Sequence, residues 1–270
     1  MADTVGPNIS VFGKFDGLHL GHRAVLDRAA DVSRQLGMPC GAVTFERHPD
    51  AYLRRRPAPP ALTSLSHRLR LLCEAGAQFV VLLPTDASVL DIPAEQFVRD
   101  VLRAKMAVRV VVVGENFRGH RGTGGVLTFR QLSSVEGLDG VEVGTVEVAG
   151  GPVSATRIRA SLAQGDVKLA RELLGRPYDV HGVIRFLDPS LALLVVPAAR
   201  VVPAPGKYAG SFQLHTRSRV NAIVEVTPLD NAAHGLTVNC SGRALAGERP
   251  SGLGRVAFVR MLSRARSQQA

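Results

Sequence analysis

The 270-residue chain has no tryptophan, three cysteines, four lysines and only 5% aromatic residues. Each shortage excludes something. Cys40, Cys73 and Cys240 are odd in number and widely scattered, so they make neither a disulfide framework nor a cysteine-rich metal cluster. That usage fits a reducing compartment, and the expected location is the cytoplasm. Aromatics are not interleaved with basic residues, and no block of five like charges occurs, so a nucleic-acid surface rests on net charge alone. The longest apolar run, Leu191–Ala199, has 9 residues, far short of the roughly 18 that span a bilayer. The opening MADTVGPNIS has no basic segment and no apolar segment of a signal peptide. No membrane partner is expected.

What is present is an ordinary globular composition, 46% apolar and 21% charged, in a length that suits one or two domains. The net charge is +10, and arginine supplies almost all of the positive charge. Arginine recognises phosphate through two parallel donors, so the basic balance favours anionic small molecules such as nucleotides. Genomic base composition is an equally simple source of the arginine excess.

Two textures divide the chain. Up to about Pro177, short β-rich runs alternate with amphipathic helical patterns. The spacing predicts strands at Asn8–Gly13, Cys40–Glu46, Gln78–Pro84, Val108–Gly114 and Val141–Val148. Helices are predicted at His22–Leu36, Ser64–Ala75, Pro93–Met106, Ser154–Ala163 and Asp166–Leu174. Strands separated by helices make βαβ units and a doubly wound, Rossmann-like parallel sheet. Beyond Pro177 the helical period disappears. Six β-type runs between Tyr178 and Met261, broken by turn residues, predict a small all-β barrel. The expected domains are therefore residues 1–177 and 178–270. The tail with Arg260, Arg264 and Arg266 is expected to fray.

The chemistry concentrates after the first strand, in Gly13-Lys14-Phe15-Asp16-Gly17-Leu18-His19-Leu20-Gly21-His22. Ligands of open α/β sheets bind beyond the carboxyl ends of the strands. A helix start offers unpaired N–H groups and a positive dipole end to phosphate. Gly17 and Gly21 allow close approach to the backbone. His19 and His22, three apart, point at one site, where each can donate to a phosphate oxygen. As imidazolium, each would also offset charge on a transferring phosphoryl centre.

This segment resembles the HxGH motif of the nucleotidyltransferase superfamily, and more narrowly that of the bacterial bifunctional riboflavin kinase/FAD synthetase family. Three further stretches agree in order. Thr44-Phe45-Glu46-Arg47-His48-Pro49 resembles the family's Phe-x-Pro-His-Pro. Val113-Gly114-Glu115-Asn116-Phe117-Arg118-Gly119 resembles its Gly-Glu-Asn-Phe-Arg-Phe-Gly. Val153-Ser154-Ala155-Thr156-Arg157-Ile158-Arg159 resembles its Ser-Ser-Thr-x-Ile-Arg. Leu174-Gly175-Arg176-Pro177-Tyr178 looks like its domain junction. The resemblance covers residues 8–186.

The resemblance implies transfer of AMP from ATP to FMN, giving FAD and pyrophosphate. It implies catalytic roles for His19, His22 and Arg159, with Gly13, Phe15, Asp16, Gly17, Gly21, Ser154, Thr156 and Arg157 holding the nucleotide. Phe45, His48, Asn116 and Arg118 would hold the flavin acceptor. Mg2+ is expected to travel with the ATP phosphates, with no dedicated metal cage. Simpler readings stay open: Asp16 as a turn carboxylate, His48 as a loop fastener, Asn116 as a turn residue, Arg157 and Arg159 as a solvated helix face.

Departures from the pattern loosen the acceptor more than the donor. Ala155 replaces the second serine, Arg47 replaces a proline, and the Asn116 loop lacks the phenylalanine between Arg118 and Gly119. The kinase signature Gly-Phe-Pro-Thr-Ala-Asn is missing altogether. Its region reads Phe186-Leu187-Asp188-Pro189-Ser190-Leu191-Ala192-Leu193-Leu194. Pro203–Ala209 alone echoes the family's Pro-x-x-Gly-Val-Tyr-Ala, and Glu225 is either a remnant base or a solvent-facing residue. The expectation is an FMN adenylyltransferase with a degenerate kinase barrel. The alternatives are a nucleotidyltransferase with another acceptor or nucleotide, such as CTP, and a non-catalytic flavin- or nucleotide-binding regulator.

Overall fold

The computed structural model describes residues 6–53, 58–115, 117, 137–188, 191–214, 219–228, 233–240 and 252–264. Asn116 and Arg118 lie outside them, as does the loop shortened after Arg118. By internal contacts the chain divides into two units, Met1–Ala58 with Leu65–Glu147, and Pro59–Ser64 with Val148–Ala270.

The first unit is built on a five-stranded parallel sheet: β1 (Asn8–Phe12), β2 (Cys40–Phe45), β3 (Phe79–Leu83), β4 (Val108–Gly114) and β5 (Asp139–Val143). Their order is β3-β2-β1-β4-β5. Strand β1 is central and fully buried, paired in register with Cys40–Val43 on one side and Val110–Val112 on the other. Side chains alternate between the two faces, which is why β1 and β4 read as unbroken apolar runs. Ile9, Val11, Val110 and Val112 meet α1 (Leu20–Leu36) and the later helix α3 (Leu65–Glu74). Phe12, Val43, Phe45, Val111 and Val113 meet residues Val89 to Leu102 on the opposite face. Between α1 and α3, the short helix α2 (Pro49–Leu53) follows β2.

The predicted helix at Pro93–Met106 is one regular turn, Ala94–Gln96, that continues as wider π-type turns over Phe97–Lys105. The predicted strand at Val141–Val148 lies earlier, because Asp139–Val143 is the stretch that finds hydrogen-bonding partners along Val110–Gly114. Among the described residues no helix is long and apolar enough to cross a membrane.

The second unit contains two helices, Ala155–Ala163 and Val167–Leu174. It also holds a closed six-stranded antiparallel barrel: β6 (Tyr178–Phe186), β7 (Leu191–Pro197), β8 (Gly206–Leu214), β9 (Val220–Pro228), β10 (Ala233–Cys240) and β11 (Gly252–Arg264). Strand order around the barrel is β10-β7-β6-β11-β8-β9. Tyr178, Leu194, Tyr208, Phe212, Leu236 and Phe258 fill its interior. The expected frayed tail is instead ordered through Arg264, because β11 pairs with β8 as far as the Arg264 and Gly206 register. Arg266 lies outside the described residues.

Candidate active site

The strand order fixes where a ligand belongs. From β1 the chain winds outward through β2 and β3, then returns to β4 on the other flank of β1. The carboxyl ends of β1 and β4 therefore border the crevice where an open α/β sheet binds its ligand. The loop Gly13–His19 leaves β1 at this point and feeds α1.

That loop is strained and closely packed. Phe15 and Leu18 have positive φ of 51° and 39°, values a side chain disfavours, and Gly17 has 85°. Phe15 is 1% exposed, and its ring meets the His22 ring edge-on at 5.2 Å. A Cβ on Gly13 would come 3.1 Å from the Phe15 ring. Gly13 thus serves Phe15, and Phe15 supports His22.

His19 is the N-cap of α1, a position usually held by Ser, Thr, Asp or Asn. Its Nδ1 accepts the backbone N–H of His22 at 3.3 Å. With Nδ1 occupied as an acceptor, the neutral ring carries its proton on Nε2, which becomes a donor. The His22 ring stacks on it, with centroids 3.7 Å apart and 15° between the planes. Burial pushes His19 down to about 4, against a smaller upward pull from the Asp16 carboxylate. Burial also holds His22 well below the usual histidine range, with the His19 charge acting the same way. His22 Nδ1 is sealed from solvent with no hydrogen-bond partner among the described residues. Both rings are neutral in the free protein at pH 7. The site that brings the two rings together also dehydrates them, which disfavours their charged forms.

The loop after β2 comes alongside. Phe45 is a core residue, packed edge-on against Phe12 at 5.9 Å and 4% exposed. Arg47, standing where the family has proline, uses the N–H that proline lacks. That N–H donates to Thr85 Oγ1 at 3.0 Å, and the hydroxyl donates back to Arg47 O at 3.3 Å. His48 Nδ1 accepts the backbone N–H of Asp50 at 3.2 Å, and its Nε2 lies 3.4 Å from Lys14 Nζ.

Sequence reasoning missed Arg68. It sits on α3, buried, and donates through Nη1 to Lys14 O at 3.2 Å. Its Nη2 donates to Phe45 O and to Glu46 O, the latter at 3.2 Å. Thr44 Oγ1 also donates to Lys14 O, at 3.3 Å. One guanidinium therefore fastens the ends of β1 and β2, the two loops that carry candidate site residues. Only its place on a buried helix face, between Leu65 and Leu72, could have marked it in sequence. Glu115 was also passed over. Its carboxylate accepts from Thr145 N at 3.1 Å and Thr145 Oγ1 at 2.9 Å, tying the end of β4 to the chain beyond β5.

The Ser154–Arg159 stretch belongs to the second unit. Ser154 caps the helix Ala155–Ala163, its Oγ accepting the Arg157 N–H at 3.2 Å. Arg157 turns back onto the preceding loop. It donates to Val148 O at 2.6 Å, Gly151 O at 2.7 Å and Ala149 O at 2.7 Å. Arg159 donates through Nε to Pro60 O at 2.8 Å. Thr156 follows the cap in the first turn of the helix.

In the barrel, the segment without the kinase signature runs from the end of β6 into β7, and the two strands pair antiparallel from Val183 with Val195 to Phe186 with Ala192. Leu187 N donates to Leu191 O at 2.9 Å and Leu191 N to Asp188 O at 3.3 Å. Its apolar run is a barrel strand, with Ala192, Leu194 and Val196 directed into the core. Glu225 is half-exposed and pairs with Lys207 at 3.8 Å.

Comparison with known proteins agrees with this architecture. Residues 3–157 match the FAD synthetase family. A bifunctional riboflavin kinase/FMN adenylyltransferase of Escherichia coli K12 is 31% identical over 208 residues, 74% of this chain and 66% of that protein. The matched stretch is thus just under two thirds of the Escherichia coli protein's length. A Pseudomonas fluorescens protein of the same description is 30% identical over 217 residues, 78% of this chain and 70% of the relative. A solved structure described as a macrolide-efflux protein from Streptococcus pneumoniae superposes with a TM-score of 0.84 over 99% of this chain and 89% of that one. At 23% identity that likeness speaks for the fold alone. The chain belongs to the bacterial bifunctional riboflavin kinase/FMN adenylyltransferase family, within the HxGH nucleotidyltransferases.

Proposed function

We propose that the protein is an FMN adenylyltransferase that makes FAD in the cytoplasm and has no riboflavin kinase activity. The observation that carries the reading is the stacked His19 and His22 pair at the start of α1, beside the switch-point strand β1. An FMN phosphate oxygen attacks the α-phosphorus of ATP. The bond from that phosphorus to the bridging oxygen breaks, and pyrophosphate leaves. No covalent enzyme intermediate is needed, so positioning and charge stabilisation carry the catalysis.

Neutral His19 contributes an Nε2–H donor and the helix start contributes main-chain N–H groups, all suited to phosphate oxygens. The arriving triphosphate raises the histidine pKa values and turns these donors toward cations as negative charge enters the site. The family resemblance assigns Thr156 and Arg159 to nucleotide binding, whereas Arg157 acts as a positioning residue for the 148–152 loop. Asn116 and Arg118 serve the acceptor. Phe15 and Phe45 act by packing beneath the site. Mg2+ rides on the triphosphate as part of the nucleotide substrate, and Asp16, the one carboxylate between Gly13 and His22, suits a metal-bound water.

Loss of the kinase step is supported by the sequence, which reads Phe186-Leu187-Asp188-Pro189-Ser190-Leu191 where the family has its Gly-Phe-Pro-Thr-Ala-Asn signature. One experiment tests the whole reading. The full chain is incubated with Mg2+, ATP or CTP, and FMN, riboflavin or another phosphomonoester, and products are identified by mass. FAD from ATP and FMN is the expected product. Turnover only with CTP or another acceptor would replace the substrate assignment. Tight flavin binding without turnover would make the protein a regulator.

A further inference from the structure

We infer that the barrel is retained as a clamp for the connection between α2 and α3, with Tyr178 as a positioning residue for nucleotidyl transfer; the catalytic half of this rests on the reading above. Residues Pro59–Ser64 precede α3 in the chain, yet by internal contacts they belong to the second unit. Ala61 bridges Arg200 in parallel, just beyond β7. Ala61 N donates to Ala199 O at 2.8 Å, and Val201 N donates to Ala61 O at 3.0 Å. The Tyr178 hydroxyl lies 3.2 Å from Leu62 O and 2.7 Å from Val201 O, so its single proton is shared between the two sides of the bridge. Arg159, on the helix Ala155–Ala163, donates through Nε to Pro60 O at 2.8 Å. Main-chain groups of Pro60, Ala61 and Leu62 are thus all held by the second unit.

The barrel closes through its own six strands, without residues 59–64. Tyr178 opens β6 directly after Gly175-Arg176-Pro177, with its ring buried and stacked on Phe258 at 6.4 Å. A phenylalanine would fill the same space, so the contribution of the hydroxyl lies in the carbonyls it reaches. Ser64 is followed directly by Leu65, the first residue of α3, and α3 carries Arg68. Arg68 fastens the ends of β1 and β2 through Lys14 O, Phe45 O and Glu46 O. Fixing residues 60–62 restrains the backbone that leads into α3, and so limits how far Arg68 can withdraw from those carbonyls. Transfer at the α-phosphorus depends on positioning, where a displacement of about 1 Å can cost about a hundredfold in rate. The barrel therefore has a use that needs no kinase signature.

The test pairs two identical substitutions in the full chain. Tyr178→Phe removes the hydroxyl at the bridge. Tyr208→Phe removes a hydroxyl whose acceptor is Ala204 O, from a ring that is equally buried and packs on the same Phe258. Amide exchange followed by NMR at Ala61 and Val201 quickens by about fivefold or more in Tyr178→Phe and is unchanged in Tyr208→Phe. FAD formation from ATP and FMN is measured at a temperature where both variants are fully folded. The expected kcat falls by about threefold or more in Tyr178→Phe, with little change in either KM, and is retained in Tyr208→Phe. A role confined to barrel stability would lower both melting temperatures and leave both kcat values alone, and that result overturns the proposal. Unchanged exchange at Ala61 and Val201 overturns it as well. If Tyr178→Phe does not fold, Ala61→Pro deletes the N–H that Ala199 O accepts and must reproduce the loss of kcat; full kcat in that variant is equally fatal. Quickened exchange in a protein that makes no FAD supports the clamp and refutes the FMN reading. FAD formation with a kcat that Tyr178→Phe leaves unmoved refutes the positioning role and leaves the FMN reading standing.

Discussion

At the residue scale, the His19 and His22 pair combines capping, stacking and dehydration in one helix turn. Replacing either with alanine is expected to lower turnover by at least about tenfold, since each removes a donor aimed at developing charge. Far-UV circular dichroism would remain that of a folded protein, and a folded variant with full activity would overturn the assignment. Burial of His19 also sets a pH dependence of stability. Its folded pKa of about 4 lies below the unfolded value of 6.5, so between these values the unfolded chain binds more protons. Stability is therefore retained above pH 6.5 and is lost as the pH falls toward 4. The His19 contribution between pH 7 and 5 is on the order of 2 kcal/mol. Urea unfolding at both pH values checks this, and His19→Gln should shrink the loss. An unchanged loss would place the acid sensitivity elsewhere.

At the scale of elements, two arginines act as fasteners through main-chain carbonyls. Arg68 on α3 joins the ends of β1 and β2, and Arg157 gathers the loop before its own helix. Arg68→Met would leave buried carbonyls without a donor and should cost about 2–4 kcal/mol in urea unfolding. The same change loosens the loops carrying Lys14 and His48, so turnover should fall further than the lost stability explains. Arg157→Ala should speed amide exchange across residues 148–152 while the barrel amides stay protected. A loop that exchanges no faster would mean that the arginine serves a ligand after all. Neither fastener was legible in the sequence, because an arginine bonded to distant carbonyls has the same local signature as a solvated one. Arg157 lies beside a recognisable motif, and its sequence context does not reveal the main-chain partners it finds at Val148, Ala149 and Gly151.

At the scale of the molecule, a parallel sheet unit and a closed antiparallel barrel occur in one chain, and their prospects differ. The sheet unit keeps the Gly13–His22 motif beyond β1, while the barrel sequence lacks the family's kinase signature. Incubation of the full chain with riboflavin, ATP and Mg2+ should yield no FMN by chromatography. Detectable FMN would restore the second activity. Charge behaves differently at this scale as well. A net charge of +10 attracts any polyanion, yet discrimination among anions requires donors at fixed separations.

The amino-acid sequence by itself determined the two textures of the chain, the parallel sheet from apolar runs broken by helical periods, and the barrel from closely spaced β runs. It also determined that His19 and His22 stand at a helix start beyond the first strand, because a three-residue spacing and flanking glycines act locally. Tertiary structure decided the rest. The neutral state of the two histidines depends on burial by the surrounding fold. The packing roles of Phe15 and Phe45 depend on residues such as Phe12 that lie apart in sequence. The meeting of Lys14 with His48, and Arg68's hold on both loops, exist only once β1, β2 and α3 are side by side. Periodicity and spacing record what neighbours along the chain can do. The protonation and partners of His19, first met as one half of a sequence motif, were set by the fold around it.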